Sequence, residues 1–327
     1  MVLILVAACG WVVYQNDYAI REQRVTVTGT TQPLHGVLAL PPRGTGPFGL
    51  VVFVHGDGPV DATHDTFYRP IWEALAQAGF ASLSWDKPGI NGAPGNWLDQ
   101  SMDDRARETA AAIAWARTRP EIDPDRIGLW GASQAGWVMP KVAAADPRLR
   151  FMIAVSPAIN WLRQGRYNLL AELAKSGASP DEVDAAKARS DENLHYLRTD
   201  ASYADARSAG VADGMSPDRW RFARRNLASD ASADLAKVHV PVLLMLGGHD
   251  VNVDIVDTEA GYRHNLPDPG LLQIANYPGA THSMVPVDLE DSTVESTLVA
   301  VFAPRSLFAP GVLQAQRDFV ASQSPRR

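Results

Sequence analysis

Cysteine is almost absent from the 327 residues: Cys9 is the only one. An intramolecular disulfide is therefore impossible, and so is any zinc site built on several thiolates. Basic charge is also short, with 30 Lys and Arg against 37 Asp and Glu and a net charge of -7. A chain of that balance does not present the basic surface that nucleic acids or anionic membranes select. Long apolar runs are missing too. Residues 1 to 14, MVLILVAACGWVVY, carry no charge, but a spanning helix needs roughly 20 such residues. No internal repeat, low-complexity tract or obvious linker interrupts the rest.

Residues 1–23 read as an apolar anchor or the remnant of an export signal whose basic start is missing. The run VAAC loosely matches a lipoprotein processing site, with Cys9 as the lipidated residue. The expected location is the cell envelope, membrane-anchored or exported, and otherwise the cytoplasm.

From residue 24 onward the chain is rich in short strands. RVTVTG and HGVLALP read as an opening hairpin, the second closed by Pro41-Pro42. GLVVFVHG, FASLSWD, RIGLWG, FMIAVSP and VPVLLMLGGHD are continuous apolar runs, as strands covered on both faces require. Helical segments alternate with them, clearest at SMDDRARETAAAIAWARTRP, where Ser101 and Asp104 form a capping pattern and Pro120 ends the helix. This alternation predicts a mostly parallel, doubly wound α/β sheet. From residue 160 to 236 no strand-like run occurs, and SPDEVDAAKA carries the start signal of a helix. That stretch is expected to be a helical lid inserted into a core formed by 24–159 and 237–327.

Ligands of such sheets sit beyond the carboxyl ends of the strands, so chemistry is sought there. Ser133 follows RIGLW in GASQAGW, a strand-to-helix turn that aims a nucleophilic oxygen into the cleft; Ala135 stands where G-x-S-x-G has glycine. In VVFVHGDGPVD the glycines allow backbone N–H groups to face a substrate, and the amides of Asp57 and Gln134 form the expected oxyanion pair. Asp250, at the end of LLMLGGHD, can orient a histidine, with Asp254 as an alternative and His249 facing away. His282 in YPGATHSMVP is the candidate base. The loop SWDKPGINGAPGNW is placed to rim the cleft with Trp85, Asp86, Lys87 and Trp97, Asp86 bracing the loop; Trp97 and Trp161 are candidate pocket walls.

Taken together, LHGVLALP, VVFVHGDGPVD, SWDKPGINGAPGNW, DPDRIGLWGASQAGW, LGGHD and GATHSM resemble the α/β-hydrolase superfamily. The resemblance is to its bacterial esterases and its dienelactone-hydrolase or prolyl-oligopeptidase-like branch with an HGSGP-type loop. It implies an α/β-hydrolase fold, Ser133 as nucleophile, Asp250 as acid, His282 as base, and hydrolysis of a small carboxylic ester with neither metal nor organic cofactor. Peptidase, amidase or thioesterase activity, or a silent ligand-binding role, are the alternatives. An ionised Asp57 turned inward would oppose an oxyanion, so its carboxylate is expected to face outward or accept a turn hydrogen bond.

Overall fold

The computed structural model describes residues 2–199, 201–212 and 214–323, and backbone alone for 2–8. In chain order the first half runs α1 (Val2–Asn16), β1 (Arg21–Val27), β2 (Leu34–Leu40), β3 (Phe48–Val54), α2 (Arg69–Gln77), β4 (Phe80–Trp85), α3 (Met102–Ala116), β5 (Ile122–Ala132), α4 (Met139–Ala145) and β6 (Met152–Val155). Inserted helices come next: α5 (Trp161–Lys175), α6 (Pro180–Arg198), α7 (Tyr203–Ser208), α8 (Pro217–Asn226) and α9 (Ser232–Leu235). The chain then closes with β7 (Val242–Gly247), α10 (Ile255–Asn265), β8 (Leu272–Tyr277), α11 (Val287–Glu290), α12 (Thr293–Phe302) and α13 (Val312–Ser322).

All eight strands form one sheet in the order β1-β2-β4-β3-β5-β6-β7-β8. The hairpin β1–β2 and the β2–β4 pair are antiparallel, and every later pair is parallel. The fully apolar runs occupy the middle: each residue of β4, β6 and β7 is buried. Edge strands β1 and β8 stay partly exposed. Two hydrophobic layers cover the sheet. One packs α3, α4 and Phe222 of α8 on Leu50, Leu129, Leu244 and their neighbours; the other packs α2 and α13 on Val51, Trp130, Ile153 and Met245.

Local signals explain the helix starts. Ser101 and Asp104 close a reciprocal capping box on α3, and Ser179 and Glu182 do the same for α6. After Ala132 the chain does not enter a helix directly: residues 133–137 form one 3₁₀ turn, and α4 begins only at Met139. Strand order departs from β3 in both directions, to β4 on one side and β5 on the other, so the cleft opens at the carboxyl ends of β3 and β5.

Helix α1 docks on α12, where Trp11 Nε1 donates to the Phe302 carbonyl at 2.8 Å and Asn16 Nδ2 to the Val301 carbonyl at 2.9 Å. Arg305 secures the junction, bonding the Gln15 carbonyl and both oxygens of Glu73. No helix among the described residues is long and apolar enough to cross a membrane. Trp11, Val13 and Tyr14 of α1 and Val294, Leu298 and Val301 of α12 are exposed.

Candidate active site

Ser133 stands at the end of β5 with φ 55°, a left-handed conformation that a non-glycine residue holds only where its surroundings impose it. The crowding is visible in the flanks. A Cβ on Gly131 would lie 2.6 Å from the Ala135 Cβ and 2.9 Å from the Val54 carbonyl, and one on Gly136 would lie 2.4 Å from the Ala158 carbonyl. The turn thus requires glycine at 131 and 136. Position 135 tolerates a methyl because Gly131 opposite has none.

Asp250, at the carboxyl end of β7, is 4 % exposed and fully engaged. Its Oδ1 accepts from the amides of Asn252 and Val253, both at 2.8 Å, while Oδ2 lies 2.7 Å from His282 Nδ1. A carboxylate only accepts, so the proton of that bond sits on Nδ1 and leaves Nε2 as an acceptor. His282 is presented by a tight loop closed by Thr281 N to the Val285 carbonyl and by the Ala280–Pro286 bridge. His249 is exposed, as expected, and Asp254 caps α10 through the amides of Val256 and Asp257.

Ser133 and His282 open on one cavity of about 650 Å³, to which Asp57, Gln134 and Trp161 also contribute. One side of it runs into the layer under α2 and α13 and is apolar: Phe67, Ile71, Trp130, Val155, Phe308 and Val312. Two of the polar groups on that side, Tyr68 and Gln316, are already engaged within the protein, while His64 stacks on Tyr68. Tyr68 Oη bonds His55 Nδ1 at 3.0 Å, and Gln316 accepts from Trp130 Nε1 at 2.7 Å while donating to the Val312 carbonyl. The opposite wall is polar and comes from the inserted helices, with Gln164, Asn168 and Arg219 joined by Asn252. Trp161 stacks there on Trp137 at 5.0 Å.

The two other tryptophans do not line this cavity. Trp85 is buried, its indole N–H donating to Glu108 at 2.8 Å, because its position in β4 turns the ring into the core under α3. Trp97 packs edge-on against Phe222 and receives the Lys87 ammonium on its face at 4.7 Å, which places it behind the cavity wall. Asp86 does brace its loop, accepting from Ala62 N and Asn91 Nδ2.

The Asp57 carboxylate is about two-fifths exposed and accepts from the Gly58 amide, as expected, but it does more than close a turn. It accepts both arms of Arg219 from α8, at 2.9 and 2.6 Å, and Gln134 Nε2 at 3.0 Å. Burial opposes its ionisation, but the Arg219 hydrogen bonds and charge outweigh it and hold the group below the ordinary carboxylate range. Gln134 Oε1 in turn accepts from Arg105, whose other arm reaches the His55 carbonyl at 2.5 Å. His55 donates from Nε2 to the Trp85 carbonyl at 2.6 Å; burial, with Lys87 close by, pushes its pKa well down and keeps it neutral. This histidine is a strut of the loop.

Three residues of this network carry roles that the sequence motifs do not assign. Arg105 has a signal: it falls on the inward stripe of α3 with Met102, Thr109, Ala112 and Ile113, where a cation demands a partner. Lys87 directly follows the strand-end Trp85-Asp86 pair. Arg219 has none, because its partner is 162 residues away.

A doubly wound sheet, a serine held at a strained strand-to-helix turn and a buried Asp–His couple on the same cavity define a serine hydrolase of the α/β-hydrolase fold. Residues 11–280 match the X-Pro dipeptidyl-peptidase (S15) family, and the chain belongs to it. Among solved structures, an α/β hydrolase from Penicillium sp. sh18 superposes with a TM-score of 0.58 at 19% identity, over 93% of this chain and 99% of that one. The Pyrococcus furiosus esterase gives 0.57 at 16% identity, over 88% and 92%. Both likenesses are of fold. A thiohydrolase from Arthrinium phaeospermum is 31% identical over 94 residues, which are 28% of this chain and 30% of that protein. The chain thus spans about a third of the length of the curated relatives it first matches.

Proposed function

We propose that this chain is a carboxylic-ester hydrolase working through an acyl-enzyme. His282 Nε2 takes the Ser133 proton, Ser133 Oγ attacks the carbonyl carbon, and the amides of Asp57 and Gln134 receive the oxyanion. The alcohol leaves with the proton from His282, and water repeats the sequence to release the acid. Asp250 orients the imidazole and stabilises its charged form without itself taking the proton. The observation that carries the reading is the Asp250–His282 bond of 2.7 Å opening on the cavity that holds Ser133 at φ 55°.

The cavity favours esters, and thioesters by the same chemistry, over the dipeptide removal that the family's description names. An enzyme that cuts behind an N-terminal dipeptide must bind a free ammonium, which calls for an unpaired carboxylate in the pocket. The only acidic residue on the cavity wall, among the described residues, is Asp57, and Arg219 occupies it. An acyl group fits the apolar side under α2 and α13, and a polar alcohol fits the wall of inserted helices, which serve as a lid over core 24–159 and 237–327.

For location we propose attachment to a zwitterionic bilayer surface through α1 and α12. Their apolar residues are exposed side by side, and Asp288, Glu290, Asp291 and Glu295 around α12 disfavour anionic lipid. Flotation with phosphatidylcholine vesicles should carry the chain, and Leu298→Glu should release it.

A fluorophosphonate probe should label the protein and fail on Ser133→Ala. Short-chain nitrophenyl esters and thioesters should be hydrolysed, and X-Pro anilides left intact. A higher kcat/KM for the anilide than for any ester would overturn the ester reading, and persistent labelling of Ser133→Ala would overturn the nucleophile.

A further inference from the structure

The loop after β3 carries carbonyls as well as amides, and the direction of one decides the direction of the other. In a trans peptide C=O and N–H point opposite ways, and the Gly56–Asp57 bond is not among the cis bonds. Lys87 Nζ donates to the Gly56 carbonyl at 2.6 Å and to the Gly58 carbonyl at 2.9 Å. The Gly56 carbonyl shares its peptide unit with the Asp57 amide. Holding that oxygen on Lys87 therefore turns the Asp57 N–H away from Lys87. Gly56, Asp57 and Ser133 line the same cavity, and a Cβ on Gly56 would stand 3.5 Å from the Ser133 Cβ. Among the described residues the Asp57 amide has no acceptor of its own.

The ammonium is an unusual choice for such a brace. Lys87 is 2 % exposed and makes no ion pair among the described residues; its contacts are two carbonyls and the Trp97 face. Burying a cation on those terms is costly: burial and the Arg105 charge drive its pKa well below the ordinary lysine value, while the charges of Asp57 and Glu108 favour the protonated form. A neutral donor could tie a glycine loop. What an amine donor adds is polarisation: donating to the carbonyl strengthens the N–H of the same peptide as a donor, most of all when the amine carries its proton.

We propose that Lys87 is a positioning residue of the oxyanion hole: by gripping the carbonyls of Gly56 and Gly58 it aims the Asp57 N–H at the developing oxyanion and sharpens it as a donor. This rests on the reading of Ser133 as nucleophile and the Asp57 amide as oxyanion donor. The effect is specific to the tetrahedral species, because the planar ester carries no full charge on oxygen.

The test compares Lys87→Met, Lys87→Gln and Lys87→Arg with the unmodified chain, each checked by thermal melting. Readouts are kcat and KM on a nitrophenyl ester and the affinities of an alkylboronic acid, which forms a tetrahedral adduct, and of the matching ether, which cannot form one. Lys87→Met should lower kcat about 100-fold with KM nearly unchanged, and weaken the boronic acid by the same factor. Lys87→Arg, which still donates with a charge, should recover most of the loss, and Lys87→Gln less. If Lys87→Met does not fold, Lys87→Gln is read in its place. Wild-type kcat in the folded variants, a loss confined to KM, or equal weakening of both inhibitors would overturn the proposal. Ser133→Ala separates the two layers: activity persisting there defeats the nucleophile reading, whereas an inactive Ser133→Ala beside a fully active Lys87→Met defeats the Lys87 role alone.

Discussion

Arg219, on an inserted helix, and Asp57, in the loop after β3, meet in a two-armed ion pair that joins the roof of the cavity to its oxyanion side. Both side chains are about two-fifths exposed. The pair therefore contributes little to stability, about 1 kcal/mol or less, and its weight falls on the chemistry beside it.

Removing the arginine frees a negative charge next to the developing oxyanion. Arg219→Ala should lower kcat/KM on a neutral ester by roughly tenfold. Adding Asp57→Asn to that variant should restore most of the activity, since the neutral amide leaves nothing to repel. A double variant as slow as the single one would show that Arg219 acts by another route.

Asp250→Asn keeps the shape of the couple and reverses its polarity. An asparagine donating from that position would fix the wrong tautomer of His282. Steady-state kinetics should show kcat lower by about 10³-fold or more, with the thermal midpoint little changed.

The strand-to-helix turn makes opposite demands at adjacent positions. Gly136→Ala places a methyl 2.4 Å from the Ala158 carbonyl, and urea unfolding should show a loss of about 1–3 kcal/mol with impaired labelling of Ser133. Ala135→Gly completes the usual G-x-S-x-G pattern but should gain nothing: stability falls by about 1 kcal/mol from added backbone freedom, and activity stays near that of the parent.

His55 makes stability depend on pH. Burial lowers its pKa in the folded chain, so the unfolded chain takes up a proton first as the pH falls through about 6.5. The unfolded state then binds more protons, and stability declines on acidification. Urea midpoints between about pH 8 and 5.5 should fall for the parent and vary less for His55→Gln, which is weaker at every pH.

Val312 closes the apolar side of the cavity from α13. Val312→Phe should cut kcat/KM for octanoyl esters by roughly tenfold relative to acetyl esters, which need no depth. Equal loss on both would mean that the acyl group lies on the other wall.

Much of the architecture is legible in the chain. The buried runs FASLSW and VLLMLG are strands because only a sheet covered on both faces hides every side chain. The Ser101 and Ser179 caps mark helix starts through contacts three residues long. Ser133 and Asp250 are visible as polar residues just past an apolar run, and His282 as the histidine of the loop YPGATHSMVP. Trp85 and Trp97, expected on the cavity wall, lie off it: Trp85 is the last residue of β4 and its ring joins the core under α3, and the ring of Trp97, in the loop beyond, is placed by its packing on Phe222.

The sequence by itself determined the order of strands and helices and the few residues at strand ends able to do nucleophilic chemistry, because those signals are local in the chain. The tertiary structure alone decided that Asp57 pairs with Arg219, that Arg105 ties Gln134 to His55, and that Lys87 bonds the Gly56 carbonyl. Those partners lie from 29 to 162 residues apart. Charge and carbonyl direction are settled by what folding brings within hydrogen-bond reach, and no spacing along the chain encodes it.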